Sequence, residues 1–265
     1  MTEIHPTAIV EKGFQAGKGV RIGPYCIVGP EVALGDNVEL RSHVIVTGRT
    51  TIGAGTVVFP FATIGEAPQD MSYRDEPTEL VIGQKCTIHE YATVHRGTVH
   101  GRGRTTIGDN CFLMVSAHVA HDCIVGNNVV LTNCATLGGH VEVGEHAILG
   151  GLSAVQQRCR IGAHAFIGGL TAATTDVIPF GMAVGHRAEL QGLNIVGLKR
   201  RGFDRATIHA LRGAYRLIFF ENGSREEKLG QVERQFPDIP AVRMLVDFIR
   251  ASGNNPLCLP REANA

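Results

Sequence analysis

The 265 residues contain no tryptophan, and aromatic side chains make up only 6% of the chain, so a core must be filled by small aliphatic groups rather than by rings. Neither sign of charge dominates: Lys plus Arg and Asp plus Glu both number 25, so no chain-wide positive field recommends a nucleic-acid partner. Uninterrupted apolar runs stay well short of the roughly 18 residues a membrane-spanning helix needs, so no membrane span is expected. The seven cysteines (26, 86, 111, 123, 134, 159 and 258) form no CxxC pair and no zinc-ligand spacing, and read as reduced thiols in a cytoplasmic protein. The opening MTEIHPTAIV has no basic region ahead of a long apolar run, so no signal peptide is expected. Glycine is plentiful at 33 residues but lacks the triplet period of collagen.

What the chain does have is a beat of six. Ile107, Leu113, Val119, Val125, Leu131, Leu137, Val143, Leu149, Val155, Ile161, Ile167 and Ala173 are evenly spaced, with Gly following the marker at 108, 126, 138, 144, 150, 162 and 168. A helix repeats near 3.6 and an ordinary strand at two, so the beat is neither. It fits a short strand plus a tight turn, repeated, which is the hexapeptide pattern of a parallel β-helix with three hexads per 18-residue coil. The three markers of one coil cannot offset the entropy of ordering it. Coils must therefore stack, and a site has to be assembled from positions one coil apart or from a neighbouring subunit.

The same beat runs from Ile4 to Ile64, lapses between Glu66 and Leu80, and resumes in phase at Ile82, Ile88 and Val94. The gap predicts a projecting loop over about 66–80, of the kind that is often functional. A second interruption, HGRGRTT at 100–106, shifts the phase by one residue and reads as a short basic loop. Past Ala173 the period changes. Asp204 is a plausible N-cap ahead of Ile208, Leu211, Tyr215, Ile218 and Phe219; Ser224 with Glu227 makes a capping box; and a further helix is expected from Pro240. The expected division is a hexapeptide solenoid over 1–190 and a small helical domain over 191–265.

Histidine carries the candidate chemistry: there are twelve, with His95, His118, His121 and His140 in or just before the central run. Asp122 follows His121, and a carboxylate beside an imidazole can fix its tautomer and stabilise the imidazolium, as a general base requires. Adjacent residues on a strand face opposite ways, so adjacency alone does not establish the pair. Adding one coil to His121 gives Gly139, whose backbone should lie about 4.8 Å further along the stack. An imidazole beneath an uncovered amide supplies the two parts of an acyl-transfer site, a base and an oxyanion donor. Asn110, Asn128, His146 and His164 are also 18 apart and read as a structural ladder at one turn position. Imidazoles gathered from facing walls or subunits leave zinc binding open as an alternative.

The hexads, IGEAPQD (64–70), IHEYATVHRGT (88–98), AHVAHDC (117–123), TLGGHVEV (136–143) and LNIVGLKRRGF (193–203) together resemble the acyl-carrier-protein-dependent UDP-N-acetylglucosamine O-acyltransferases, which perform the first step of lipid A synthesis. The resemblance covers nearly the whole chain. It implies a left-handed parallel β-helix, a homotrimer, active sites between subunits, and no cofactor or metal. It also implies transfer of a (3R)-3-hydroxyacyl group from acyl carrier protein to the 3-hydroxyl of UDP-N-acetylglucosamine. In this likeness His121 is the base, Asp122 orients it and Gly139 N–H receives the oxyanion. Gln69, Asp70, His95, His118, His140, Gln157, Asn194, Arg200 and Arg201 contact the nucleotide sugar, and Phe166 and Gly169 bound the acyl groove.

Two positions depart from the family: Ser72 stands where Lys is frequent, and Gln156 where His is frequent. They leave open a 3-amino acceptor acylated on nitrogen. Other readings are a coenzyme A-dependent hexapeptide acyltransferase, a zinc-dependent hydratase of the carbonic anhydrase type, and a solenoid that serves only as a scaffold or binding module. Basic residues in HGRGRTT and around Lys199–Arg205 are candidates to meet an acidic carrier protein.

Overall fold

A computed structural model describes residues 2–253 and 255–261. Its strands are mostly two residues long and fall into three sheets of 11, 9 and 8 strands that form the walls of a triangular prism. The chain visits the walls in strict rotation, so each strand pairs in parallel with the strand one coil away: Leu113 with Leu131, Val119 with Leu137, Val125 with Val143. The beat is the inward-facing row. Leu113, Val119, Leu131, Leu137, Val143 and Leu149 are buried along the prism axis, and the row loses cover only in the first coil, where Ile4 is 47% exposed.

Between strands the chain turns through a residue in the left-handed region. Asn110, Asn128, His146 and His164 have φ of 54°, 58°, 58° and 59°, so the expected ladder at one corner is there. Asn tolerates this conformation well, and the His rings recover the cost by stacking: His146 on His164 at 4.9 Å, His164 on Phe180 at 5.4 Å.

Both interruptions are insertions at the corner between the second and third walls. Ile52 pairs with Ile82 and Ile82 with Ile107, separations of 30 and 25 residues, which exceed one coil by two hexads and by seven residues. That arithmetic explains why the first insertion keeps phase and the second shifts it. The loop edges differ from those the beat suggested. Strands Thr63–Glu66 and Glu79–Ile82 confine the first to 67–78, and Arg104–Thr106 belong to strand Arg104–Ile107. Arg104 leaves the expected basic loop because its guanidinium reaches Glu79 across the strands.

A strand at Glu189–Leu193 pairs antiparallel with Gly181–Val184 and closes the top of the prism, running across the expected division at 190/191. Four helices follow: α1 Ile195–Arg200, α2 Arg205–Phe220, α3 Arg225–Gln235 and α4 Pro240–Ala251. The caps of α2 and α3 are those expected, Asp204 and the Ser224–Glu227 box, whereas α1, too short to show a period, was not anticipated. The end of the chain returns to the solenoid, with Leu257 bridging to Asp176. Buried Asp176 holds Arg160 on the third wall, and Arg160 in turn donates to Ser252 Oγ, which ties the helices down. No helix among the described residues is long and apolar enough to cross a membrane.

Leu131 is fully buried in mid-stack. Leu131→Ala is expected to cost about 2–5 kcal/mol by leaving a cavity that stacked coils cannot close, measured by urea denaturation; a cost below about 1 kcal/mol would mean the inward row does not carry the fold.

Candidate active site

The strand His118–Val119 ends one residue before a corner, and at that corner Asp122 adopts φ 60°. On a strand, neighbours would diverge; at the left-handed turn the Asp122 carboxylate swings to the same side as the His121 ring and accepts its Nδ1–H at 2.8 Å. A carboxylate can only accept, so the proton sits on Nδ1 and the lone pair of Nε2 is left for chemistry.

Asp122 is fully buried yet satisfied. Besides His121, it accepts from Thr98 N at 3.1 Å, Thr98 Oγ1 at 2.7 Å and Arg102 N at 2.7 Å, all from the second insertion. Burial alone would raise its pKa, but the hydrogen bonds from His121, Thr98 and Arg102 outweigh burial and hold the carboxyl at about 2. A Cβ on Gly101 would overlap this carboxylate, which explains the glycine in the loop. Sequence reasoning missed Thr98, Gly101 and Arg102; the one available signal was that a seven-residue insertion lies a single coil below the His-Asp pair.

One coil further, Gly139 lies directly against the ring: a Cβ built there would fall 2.6 Å from both Cε1 and Nε2 of His121. The corner amide of His140 donates to His121 O at 2.9 Å, and Gly139 O accepts from Arg158 N. Among the described residues, Gly139 N–H has no protein acceptor. His140 packs edge-on to His121, with ring centroids 5.1 Å apart, and its Nε2 is 3.9 Å from Asp122. His121, Asp122 and His140 also place three ligand-type atoms within 4.8 Å of one another.

His118 projects from the second wall with Nδ1 2.7 Å from Thr93 Oγ1 and its ring 5.4 Å from that of His95. Burial, reinforced by the charges of His95 and His121, lowers its pKa to about 4, so it is neutral near pH 7. His95 donates from Nδ1 to Ala67 O at 2.6 Å and thereby pins the root of the 67–78 loop. Asp70 on that loop is lowered below the usual carboxylate range, first by Ser72, whose Oγ and N both donate to Oδ1, and further by the charge of His121. Gln69, on the same loop, and Gln157, beside Arg158, are exposed.

Nine of the expected residues (Gln69, Asp70, His95, His118, His121, Asp122, Gly139, His140 and Gln157) thus gather on the second wall and its corner with the third. The rest do not join them within one chain. Asn194 caps α1 and donates to His164 O, and Arg201 donates to His146 O, so both belong to the His ladder at the corner between the third and first walls. Arg200, the last residue of α1, is exposed beside them. Phe166 projects from the first wall and Gly169 lies at the remaining corner, between the first and second walls.

Short parallel coils carrying an imidazole–carboxylate pair under an open amide define a hexapeptide-repeat transferase, and the family model for bacterial transferase hexapeptides matches residues 17–48 and 104–139. The model of UDP N-acetylglucosamine O-acyltransferase domain 2 matches residues 176–257. The acyl-[acyl-carrier-protein]–UDP-N-acetylglucosamine O-acyltransferase of Azorhizobium caulinodans is 56% identical over 257 residues, covering 97% of this chain and 95% of that protein. That of Mesorhizobium japonicum is 56% identical over 98% of this chain and 93% of its own. The crystal structure of UDP-N-acetylglucosamine O-acyltransferase from Moraxella catarrhalis superimposes with a TM-score of 0.93 at 42% identity, covering 96% of this chain and 99% of that one. The chain belongs to the acyl-[acyl-carrier-protein]–UDP-N-acetylglucosamine O-acyltransferase family, and its prism is the left-handed parallel β-helix.

Because Asp122 is held at about 2 against an ordinary 3.8, its ionised form adds stability that is fully present above the ordinary value and is lost as pH falls through the folded one. The stability difference between wild type and Asp122→Asn is therefore expected to shrink as pH falls from about 4 to about 2. Urea denaturation across that range measures it, and a difference that does not change with pH would contradict the assignment.

Proposed function

We propose that the chain transfers a (3R)-3-hydroxyacyl group from acyl carrier protein to the 3-hydroxyl of UDP-N-acetylglucosamine, the first step of lipid A synthesis. The observation that carries this reading is the seating of His121 against Gly139, with Nε2 free and the amide above it unbonded. Nε2 takes the proton of the attacking hydroxyl as oxygen bonds to the thioester carbon. The oxyanion forms beneath Gly139 N–H, and Asp122 stabilises the imidazolium. Collapse expels the pantetheine thiolate, which takes the proton back from Nε2. Thioester carbon is activated enough that no covalent enzyme intermediate is required.

The division of the expected site residues among three edges supports a homotrimer. A threefold arrangement sets the His121 corner of one subunit beside the ladder corner of the next, so that Asn194, Arg200 and Arg201 of a neighbour complete the nucleotide site. Arginine suits that role because its fork pairs with phosphate oxygens and its plane stacks on a base. The outward row of the first wall, Phe112, Val130, Ile148 and Phe166, is apolar and only half-buried, and Leu152 and Leu170 at its edge are 60% and 70% exposed; such a strip needs a partner. On the second wall the outward row continues past His118 as Thr136, Ala154 and Ala172, small side chains that leave a shallow track for an acyl chain towards Gly169. All seven cysteines are free, which fits a reducing cytoplasmic setting.

Ser72 on Asp70 bears on the acceptor. In place of a cation, the loop presents a carboxylate already holding two donors, an arrangement that serves an oxygen or a nitrogen nucleophile. Assays with UDP-N-acetylglucosamine and its 3-amino analogue, against acyl carrier proteins of graded chain length, are expected to show O-acylation. His121→Ala is expected to lower kcat by about 10²- to 10⁴-fold with the fold intact. Full activity in that variant would remove His121 from the reaction. One tightly bound zinc per chain on metal analysis would instead favour the hydratase reading of His121, Asp122 and His140.

A further inference from the structure

The residue after His95 has a side chain that the reaction does not use. Arg96 runs back along the corner, beneath the 67–78 loop, into the space above Gly48, where a Cβ would overlap its guanidinium; Gly48 has φ 60°. Among the described residues it forms no ion pair, and its Nε is buried without a protein partner. Thr47 Oγ1 and Thr78 Oγ1, beside the same loop root, are likewise unpartnered. A residue serving only to fill space here would be apolar, because an orphaned buried donor is costly.

What the guanidinium does hold is Tyr73. Arg96 Nη2 donates to Tyr73 Oη at 3.0 Å, and its Cζ lies 6.0 Å from the ring centroid. Tyr73 Oη in turn donates to Glu76 O at 2.7 Å, and Tyr73 N donates to Asp70 O at 3.1 Å. The backbone of Arg96 donates to Glu66 O at the loop's start. Arg96 therefore grips the loop at its entry and at Tyr73, one turn from Asp70. Among the described residues Asp70 bonds only within the loop, to Ser72 and to Tyr73 N.

We propose that Arg96 is a positioning residue for the acceptor: by anchoring Tyr73 it fixes the turn that carries Gln69 and Asp70. This rests on the reading of Asp70 as a nucleotide-sugar contact, and the experiment separates the two. Steady-state kinetics would be measured on Arg96→Met, which keeps the aliphatic stem, on Tyr73→Phe, on Asp70→Asn and on the Arg96→Met/Asp70→Asn double variant. Arg96→Met is expected to raise KM for UDP-N-acetylglucosamine about tenfold, with kcat and the KM for acyl carrier protein changed by less than about twofold. Tyr73→Phe should move the same constant by about threefold, and Arg96→Lys, which keeps a donor for the hydroxyl, should recover part of the loss. The double variant should fall short of the product of the two single effects, because both changes act on the Asp70 contact. Tryptic cleavage after Arg74 should also speed up in Arg96→Met.

Full additivity in the double variant, or equal rises in both KM values, would overturn the positioning role. An inert Asp70→Asn alongside a raised KM in Arg96→Met would instead overturn the assignment of Asp70, leaving the anchor to act through Gln69. Should Arg96→Met not fold, Tyr73→Phe decides alone, and an unchanged KM for the nucleotide sugar in that variant counts against the proposal.

Discussion

Everything in this molecule hangs on the backbone hydrogen bond between one coil and the next. At most corners the left-handed residue donates its amide to a carbonyl of the coil before it, as Asn128 does to Asp109 O, His140 to His121 O and Arg158 to Gly139 O, whereas Asp122 N donates to Thr105 Oγ1. The residue just ahead of it has no backbone acceptor. At three corners a side chain one coil away takes up that spare amide: Asp36 accepts from Lys18 N, Asp109 from Gln84 N, Asn127 from Asp109 N. At Gly139 the equivalent position one coil further is Gln157, and it does not accept. The proposed oxyanion donor is thus a by-product of the coil geometry, a corner amide that no side chain of the next coil takes up.

The same pitch decides how base and donor meet. Inter-strand spacing near 4.8 Å is about the thickness of an imidazole plus one van der Waals contact, so a ring standing at one corner reaches the backbone of the next only if that backbone carries no Cβ. Gly139 meets this condition. Asp122 then does two jobs with one carboxylate. It fixes the tautomer of His121, and through Thr98 and Arg102 it holds down the insertion that flanks the ring. Orientation of the base and closure of the loop are coupled, because neither partner of Asp122 can leave without stranding a buried charge.

The period of six made the coils, the stacking register and the pairing of His121 with Gly139 legible, because all three follow from counting. Counting fails where the chain leaves the prism. Loop edges were misplaced since Arg104–Thr106 look basic and polar in sequence, while in the sheet Thr105 faces the core and Arg104 pairs with Glu79. Helix α1 was invisible because six residues are fewer than two turns, and its existence depends on Asn194 reaching His164 O, a contact 30 residues away. The His121–Asp122 pair could not be settled from adjacency, since its geometry depends on a positive φ that a sequence advertises at Asn or Gly far better than at Asp.

The scatter of the remaining site residues is itself informative about why this enzyme family uses a prism. A solenoid wall is nearly flat, and two-residue strands leave no room for a deep pocket within one chain. In the trimer proposed above, depth comes from apposing an edge of one prism to an edge of another, and a chain with His121 on one corner, the Arg200–Arg201 pair on a second and Gly169 on a third distributes the proposed parts as such a rotational assembly needs them. Rigidity then becomes an asset. Because the coils are tied to one another by inter-coil bonds, apposing two subunits as proposed would set the proposed base, nucleotide contacts and acyl track in one operation, leaving the two insertions that leave the prism to be aligned separately. Those are the segments that Asp122 and Arg96 hold, one by a buried carboxylate and the other by a half-buried guanidinium.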